Sequence, residues 1–141
     1  MNTNTLTLLL QVAGLLHLGL LCAGLLMPKI VGLREHLATL PSFIRRLFWV
    51  YYSFIGLCLV SFGLLTFTLA STLAAGGTLA RALCLFLAAF WTLRLIAATF
   101  VFDLGPYLTT VPRRIGYHAI NLVFVCLPVI YLLAFLKGAR P

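Results

Sequence analysis

One arginine stands inside the apolar stretch Phe90-Trp91-Thr92-Leu93-Arg94-Leu95, several residues from either end of the run that contains it. A guanidinium near the centre of a membrane helix costs about 2.5–3.5 kcal/mol on insertion scales. A guanidinium does not shed its charge in a protein, so it needs acceptors instead. Depth counted at about 1.5 Å per helical residue places Asn121 at nearly the same level as Arg94. On the same count His118 lies about one turn nearer the end of its run, with Tyr52 and Ser53 beside it, and Asp103 closes the run that holds Arg94. His118 and Asn121 are three apart and share a helix face. Asp103 follows Arg94 by nine residues, on the other side of an ideal helix, and is expected to face Arg113, Arg114 or His118 across the next connection. Arg94, Asp103, His118, Asn121 and Tyr52 together could hold an anionic or polar headgroup, or relay a proton. The structural alternative is a network that fixes helix register while Arg94 snorkels toward the boundary.

Other residues suggest other chemistry. A bis-histidine haem needs two ligands at similar depth on facing helices. His17 sits near the middle of the first apolar run and His118 near one end of the last, about 10 Å apart in depth at helical rise. The simpler reading of His17 is a neutral imidazole bonded to a neighbouring helix. Cys22, Cys58, Cys84 and Cys126 fall one to each apolar run, at different depths and without a C-x-x-C pair. They read as small packing residues rather than a metal centre or a redox dithiol. No cofactor is expected.

These residues sit in a chain of 141 residues that is 63% apolar and only 9% charged. A soluble domain carries about 25% charge and a disordered chain more still, so an integral membrane protein remains. Apolar runs extend over about 6–27, 47–75, 79–102 and 115–136, each long enough to span the hydrocarbon as a helix. Breakers separate them: Pro28, Gly76-Gly77, Gly105-Pro106 and Pro112. No strand-like alternation is present, which excludes a barrel. The expected fold is all-α, a single membrane domain over 1–141 built as a four-helix bundle. The first run has no Lys or Arg ahead of it, and reads as a retained span rather than a signal peptide.

The connection after the first span repeats Ile30, Leu33, Leu37 and Leu40 at helical spacing, with Arg34 and Glu35 opposite. This predicts a short interfacial amphipathic helix over about 29–40, ended by Pro41, with Ser42 able to cap the next helix. Ten basic residues face two acidic ones. Lys29, Arg34, Arg45, Arg46, Arg113 and Arg114 fall on one side, against Arg81, Lys137 and Arg140 on the other. The positive-inside rule puts the first side in the cytoplasm and both termini outside. Basic residues at span ends meet anionic lipid, so the charge excess does not point to nucleic acid. Trp49, Tyr51, Tyr52, Tyr107 and Tyr117 form an aromatic belt on the same cytoplasmic side. Gly19 with Ala23, and Ala80, Cys84, Ala88 and Thr92, make small-residue stripes that favour close helix contact within the chain over a homodimer seam. Pro128 frees the carbonyl of Phe124 and should bend the last span.

The stretches Leu47-Phe48-Trp49-Val50-Tyr51, Phe90-Trp91-Thr92-Leu93-Arg94-Leu95, Phe100-Val101-Phe102-Asp103 and Gly116-Tyr117-His118 resemble a motif set of small bacterial four-helix membrane proteins with no assigned activity. That resemblance implies the inner membrane and no particular chemistry. DoxX-type proteins are similar in length and span count only, and small multidrug transporters use a first-span carboxylate that this chain lacks. No paired carboxylates, nucleophile–base spacing, metal motif or phosphate loop stands out. The leading reading is a non-catalytic accessory or scaffold subunit, or a lipid-binding bundle, with a polar cluster in its cytoplasmic half. Its partners would be the bilayer, an anionic headgroup, a larger membrane protein or a second copy. The alternatives are an oligomeric proton-coupled permease, and a redox or lipid-modifying enzyme using His17 or His118.

Overall fold

The computed structural model describes residues 2–101 and 105–137. All regular structure among them is helical: α1 (Thr3–Ile30), α2 (Leu33–Ala38), α3 (Ser42–Thr68), α4 (Ala70–Ala75), α5 (Thr78–Phe100), a 3₁₀ turn at Gly105–Tyr107, and α6 (Val111–Lys137). Of these, α1, α3, α5 and α6 are long and apolar enough to cross a membrane. The chain is thus a four-helix membrane bundle, and the many exposed leucines, valines and phenylalanines on its perimeter suit contact with lipid chains. Asp103 and Arg140 lie outside the described residues.

Two antiparallel pairs, α1 with α3 and α5 with α6, make up the bundle; α1 also packs on α4 and α6, and α4 touches α5 and α6. The termini come together at one end, where Lys137 Nζ donates to Thr3 Oγ1 at 2.9 Å. The core occupies that half. It contains Leu6, Leu10 and Ala13 of α1, Leu73 and Ala74 of α4, Cys84, Leu87 and Trp91 of α5, and Leu127, Tyr131 and Ala134 of α6. Toward the other end, nothing in 21–30 of α1, in 42–62 of α3 or in 111–123 of α6 is buried. The pairs close on each other where α1 begins and α6 ends, and toward the basic end α1, α3 and α6 are at most half-buried while Ala98 of α5 stays in the core.

Several local expectations need correction. Pro28 does not end the first helix, which runs on to Ile30. Proline removes one N–H, the partner of the carbonyl four residues back, and here that carbonyl belongs to Gly24. The Tyr52 hydroxyl of α3 donates to it instead. The chain turns at Gly32, whose φ of +61° is left-handed. Residues Leu33–Ala38 alone form α2, less than the expected 29–40, with Leu37 buried and Arg34 and Glu35 exposed as the periodicity required. Pro41 takes the N-cap position of α3 and no side chain caps it, so Ser42 has no capping role.

Two further departures concern packing. The second apolar run is not one continuous helix, because a single non-helical residue, Leu69, separates α3 from α4. Just before it the Thr68 hydroxyl bonds back to the Leu64 carbonyl at 2.7 Å, a competition with the backbone ladder that bends helices. Gly19 is exposed with open space around it and makes no close approach. The α1–α3 contact forms at Gly14 and Gly63, where an added Cβ would sit 2.8–3.0 Å from atoms of the facing helix. On α5 the stripe Ala80, Cys84 and Ala88 is buried as expected, whereas Thr92 is exposed. Helix α6 continues through Pro128.

Candidate functional site

Two polar assemblies emerge, one in each half. The first is a buried clasp to which each long helix contributes one residue: His17 from α1, Thr66 from α3, Trp91 from α5 and Tyr131 from α6, none more than 2% exposed. Trp91 Nε1 donates to His17 Nε2 at 3.2 Å, and His17 Nδ1 lies 2.7 Å from the Ala13 carbonyl. An indole nitrogen can only donate and a carbonyl can only accept, so the imidazole is the neutral Nδ1–H tautomer. Thr66 Oγ1 and Tyr131 Oη share a hydrogen bond of 2.7 Å. The His17 ring packs edge-on to Trp91, Tyr131 and Phe62, with centroids 5.1, 6.3 and 6.5 Å away.

Small residues bring these groups within reach. Gly63 lies directly against His17, since a Cβ there would be 2.9 Å from His17 Cβ. Its bare Cα lets α3 approach α1 closely enough for the imidazole to extend across to α5. Both ring nitrogens are engaged, so binding iron through Nε2 would displace the Trp91 donor, and the residues do not fit a haem site. Among the described residues no group of three or more potential metal ligands exists. The neighbouring-helix reading of His17 is therefore the one that the geometry matches, with Trp91 as the partner.

The second assembly lies at the basic end and includes the residues singled out in the sequence. Arg94 places its Cζ 5.0 Å from the centroid of the Phe124 ring, a cation–π contact between α5 and α6. Phe124 in turn stacks on Trp91 at 5.8 Å and 26°, which links Arg94 to the clasp through one aromatic ring. Asn121 is half-buried on α6, one turn from Phe124, and His118 is exposed with its ring edge-on to Tyr117 at 5.4 Å. Tyr52 belongs to a different contact. Its hydroxyl is held by Gly24 of α1 and its ring stacks on Phe48 at 5.9 Å, so it serves the α1–α3 pair.

Four arginines at this end divide by what they touch. Arg113 donates to the Tyr107 carbonyl at 3.4 Å and to Thr109 Oγ1 at 3.2 Å, and Arg114 Nε donates to the Leu108 carbonyl at 3.2 Å. These two arginines pin the connection that precedes α6. Arg34 of α2 and Arg45 of α3 instead line an open pocket of about 330 Å³ together with Leu37, Ala38 and Trp49. Arg45 and Arg46 follow the start of α3 within about one turn, where the helix dipole disfavours cations, so helix stability does not account for their position.

Two features escaped sequence reasoning, the clasp and the Arg34–Arg45 pocket. The signal for the clasp was one hydrogen-bonding side chain per helix that had to find a partner once buried. The chain matches no known protein family, no curated protein and no solved structure. Its functional reading rests on its own residues.

Proposed function

We propose that this small multi-pass membrane protein is a non-catalytic lipid-binding bundle, with its basic end in the cytoplasmic leaflet of a bacterial inner membrane and both termini outside. The observation that carries the reading is the set of exposed arginines at that end, Arg34, Arg45 and Arg94, in a half where long stretches of α1, α3 and α6 bury nothing. Guanidinium groups at a membrane boundary favour anionic headgroups as ligands. Supporting it, His17 bonds to Trp91 and Thr66 to Tyr131 in the other half, which suits a structural role for those residues. Arg94 with Asn121 and His118 would form the headgroup-holding face; a larger membrane protein or a second copy could share it.

Thermal stability and native mass spectrometry of Arg94→Leu and Arg94→Lys test this. Arg94→Leu should fold normally and lose its retained anionic lipid. Arg94→Lys should recover part of it, because an ammonium lacks the planar fork that grips phosphate. An Arg94→Leu protein that keeps its lipid complement overturns the reading, and a stoichiometric protein partner in its place would support the accessory role. For orientation, a cysteine at Glu35 should resist labelling in intact spheroplasts, while one on the C-terminal tail should react; the reverse pattern inverts the topology.

A further inference from the structure

The pocket between α2 and α3 is separate from the Arg94 face and has features of its own. It is lined by two guanidinium-bearing residues, by the Trp49 indole, and by the apolar Leu37 and Ala38, in a volume of about 330 Å³. That volume is at the lower end of the roughly 300–1,000 Å³ typical of small-ligand sites. Two independent elements position the arginines. Arg34 rides on α2, which the buried Leu37 anchors and the Gly32 turn orients, while Arg45 projects from the first turns of α3. The two come together only because the chain reverses between Thr39 and Pro41. Glu35, next to Arg34, is exposed.

The chemistry is specific. Arginine forks bind phosphate oxygens through paired, charge-assisted hydrogen bonds, and two arginines on one pocket suit a phosphodiester. Tryptophan favours the headgroup level of a membrane, where its ring stays in apolar surroundings and its N–H reaches polar ones. The aromatic cluster of Phe48, Trp49 and Tyr52 continues from the pocket along α3 toward the hydrocarbon, with ring centroids 5.7–5.9 Å apart. A second groove of about 200 Å³ beyond it, between α1 and α3, is lined by Leu21, Leu25, Ile55 and Leu59 beside Tyr52. A polar pocket that leads to an apolar groove has the outline of a headgroup and its acyl chain.

We propose that Arg34, Arg45 and Trp49 form a binding site for the phosphate of an anionic phospholipid, with one acyl chain lying along the α1–α3 groove. The site rests on the reading of the basic end as the lipid-binding end, and it adds a second, distinct position there.

The test uses the full-length protein with phosphatidylglycerol or phosphatidylcholine vesicles, or with inorganic phosphate. Binding is followed by the Trp49 emission, read against a Trp49→Phe control, and by lipid stoichiometry in native mass spectrometry. Phosphatidylglycerol should shift Trp49 emission in the wild type, and phosphatidylcholine should not. Arg34→Ala/Arg45→Ala should weaken that response by about tenfold or more, the scale of lost charged hydrogen bonds, with an unchanged melting profile because both residues are exposed. The double lysine variant should fall between. An undiminished response in the double alanine variant overturns the site, and so does a response to inorganic phosphate without one to phosphatidylglycerol. If the Trp49 response follows Arg34 and Arg45 while Arg94→Leu keeps its full lipid complement, the pocket stands and the Arg94 reading falls; the converse pattern sinks only the pocket.

Discussion

In the half where α1 begins and α6 ends, four buried polar side chains bond in pairs across helices; in the opposite half, arginines stand exposed and line a pocket or hold a loop. His17, Thr66, Trp91 and Tyr131 are fully enclosed, and their bonds run from helix to helix. Arg34, Arg45 and Arg94 are exposed on the protein surface, in a half where long stretches of α1, α3 and α6 bury nothing. Lipid offers no hydrophobic reward for helix association, so packing and interhelical hydrogen bonds must hold such a bundle together. The comparison teaches a division of labour. One half holds the buried contacts among the four long helices, and the other leaves its arginines exposed.

The sharpest way to break this comparison is to disturb each half and compare stabilities. Trp91→Ala removes a buried ring and its hydrogen bond to His17 Nε2, and should destabilise the fold by about 3–5 kcal/mol. Trp49→Ala should change stability little, and both are read from thermal or denaturant melts in the same detergent. Next in size, Gly63→Ala forces a Cβ to within 2.9 Å of His17 and 3.0 Å of the Gly14 carbonyl. It should cost about 1–3 kcal/mol by overpacking. Gly19→Ala meets open space and should be neutral or gain up to about 1 kcal/mol in helix propensity.

Smaller effects sharpen the account. A double-mutant cycle of Thr66→Val with Tyr131→Phe should return a coupling of about 0.6 kcal/mol and at most about 1.7, the measured span for such bonds in a membrane bundle. A coupling of zero would mean that the hydroxyl pair contributes nothing to closure. Tyr52→Phe should cost about 0.5–1.5 kcal/mol, because it strips the Gly24 carbonyl of its donor. In a Pro28→Ala background the restored backbone N–H can serve that carbonyl, and the same substitution should lose most of its effect.

The four long helices could be read from the sequence because apolar runs bounded by breakers determine them locally. Helix ends and interruptions were less legible. Pro28 looked like a terminator because its effect depends on whether another group supplies the missing donor, and Tyr52, 24 residues away, does so. The Leu69 break lies within an unbroken apolar run and follows Thr68, whose hydroxyl bonds back onto the Leu64 carbonyl, which hydropathy does not register. The site divides in the same way. Arg94 is conspicuous because a charge in an apolar run violates composition. The clasp breaks no local rule, since periodicity gives each helix a face but not its rotation against a neighbour. His17 could be expected to bond across helices; that the partner is Trp91 depends on the close approach at Gly14 and Gly63. The Arg34–Arg45 pocket likewise requires knowing how α2 folds back beside α3.

Hydrogen–deuterium exchange in lipid nanodiscs, with phosphatidylcholine alone against phosphatidylcholine plus phosphatidylglycerol, tests the division between the two halves most directly. Added phosphatidylglycerol should protect backbone amides over 32–46 and 105–114, and should leave 6–20, 63–74 and 84–91 as slow as they were. Equal protection in both halves, or a response confined to the clasp, would contradict the account.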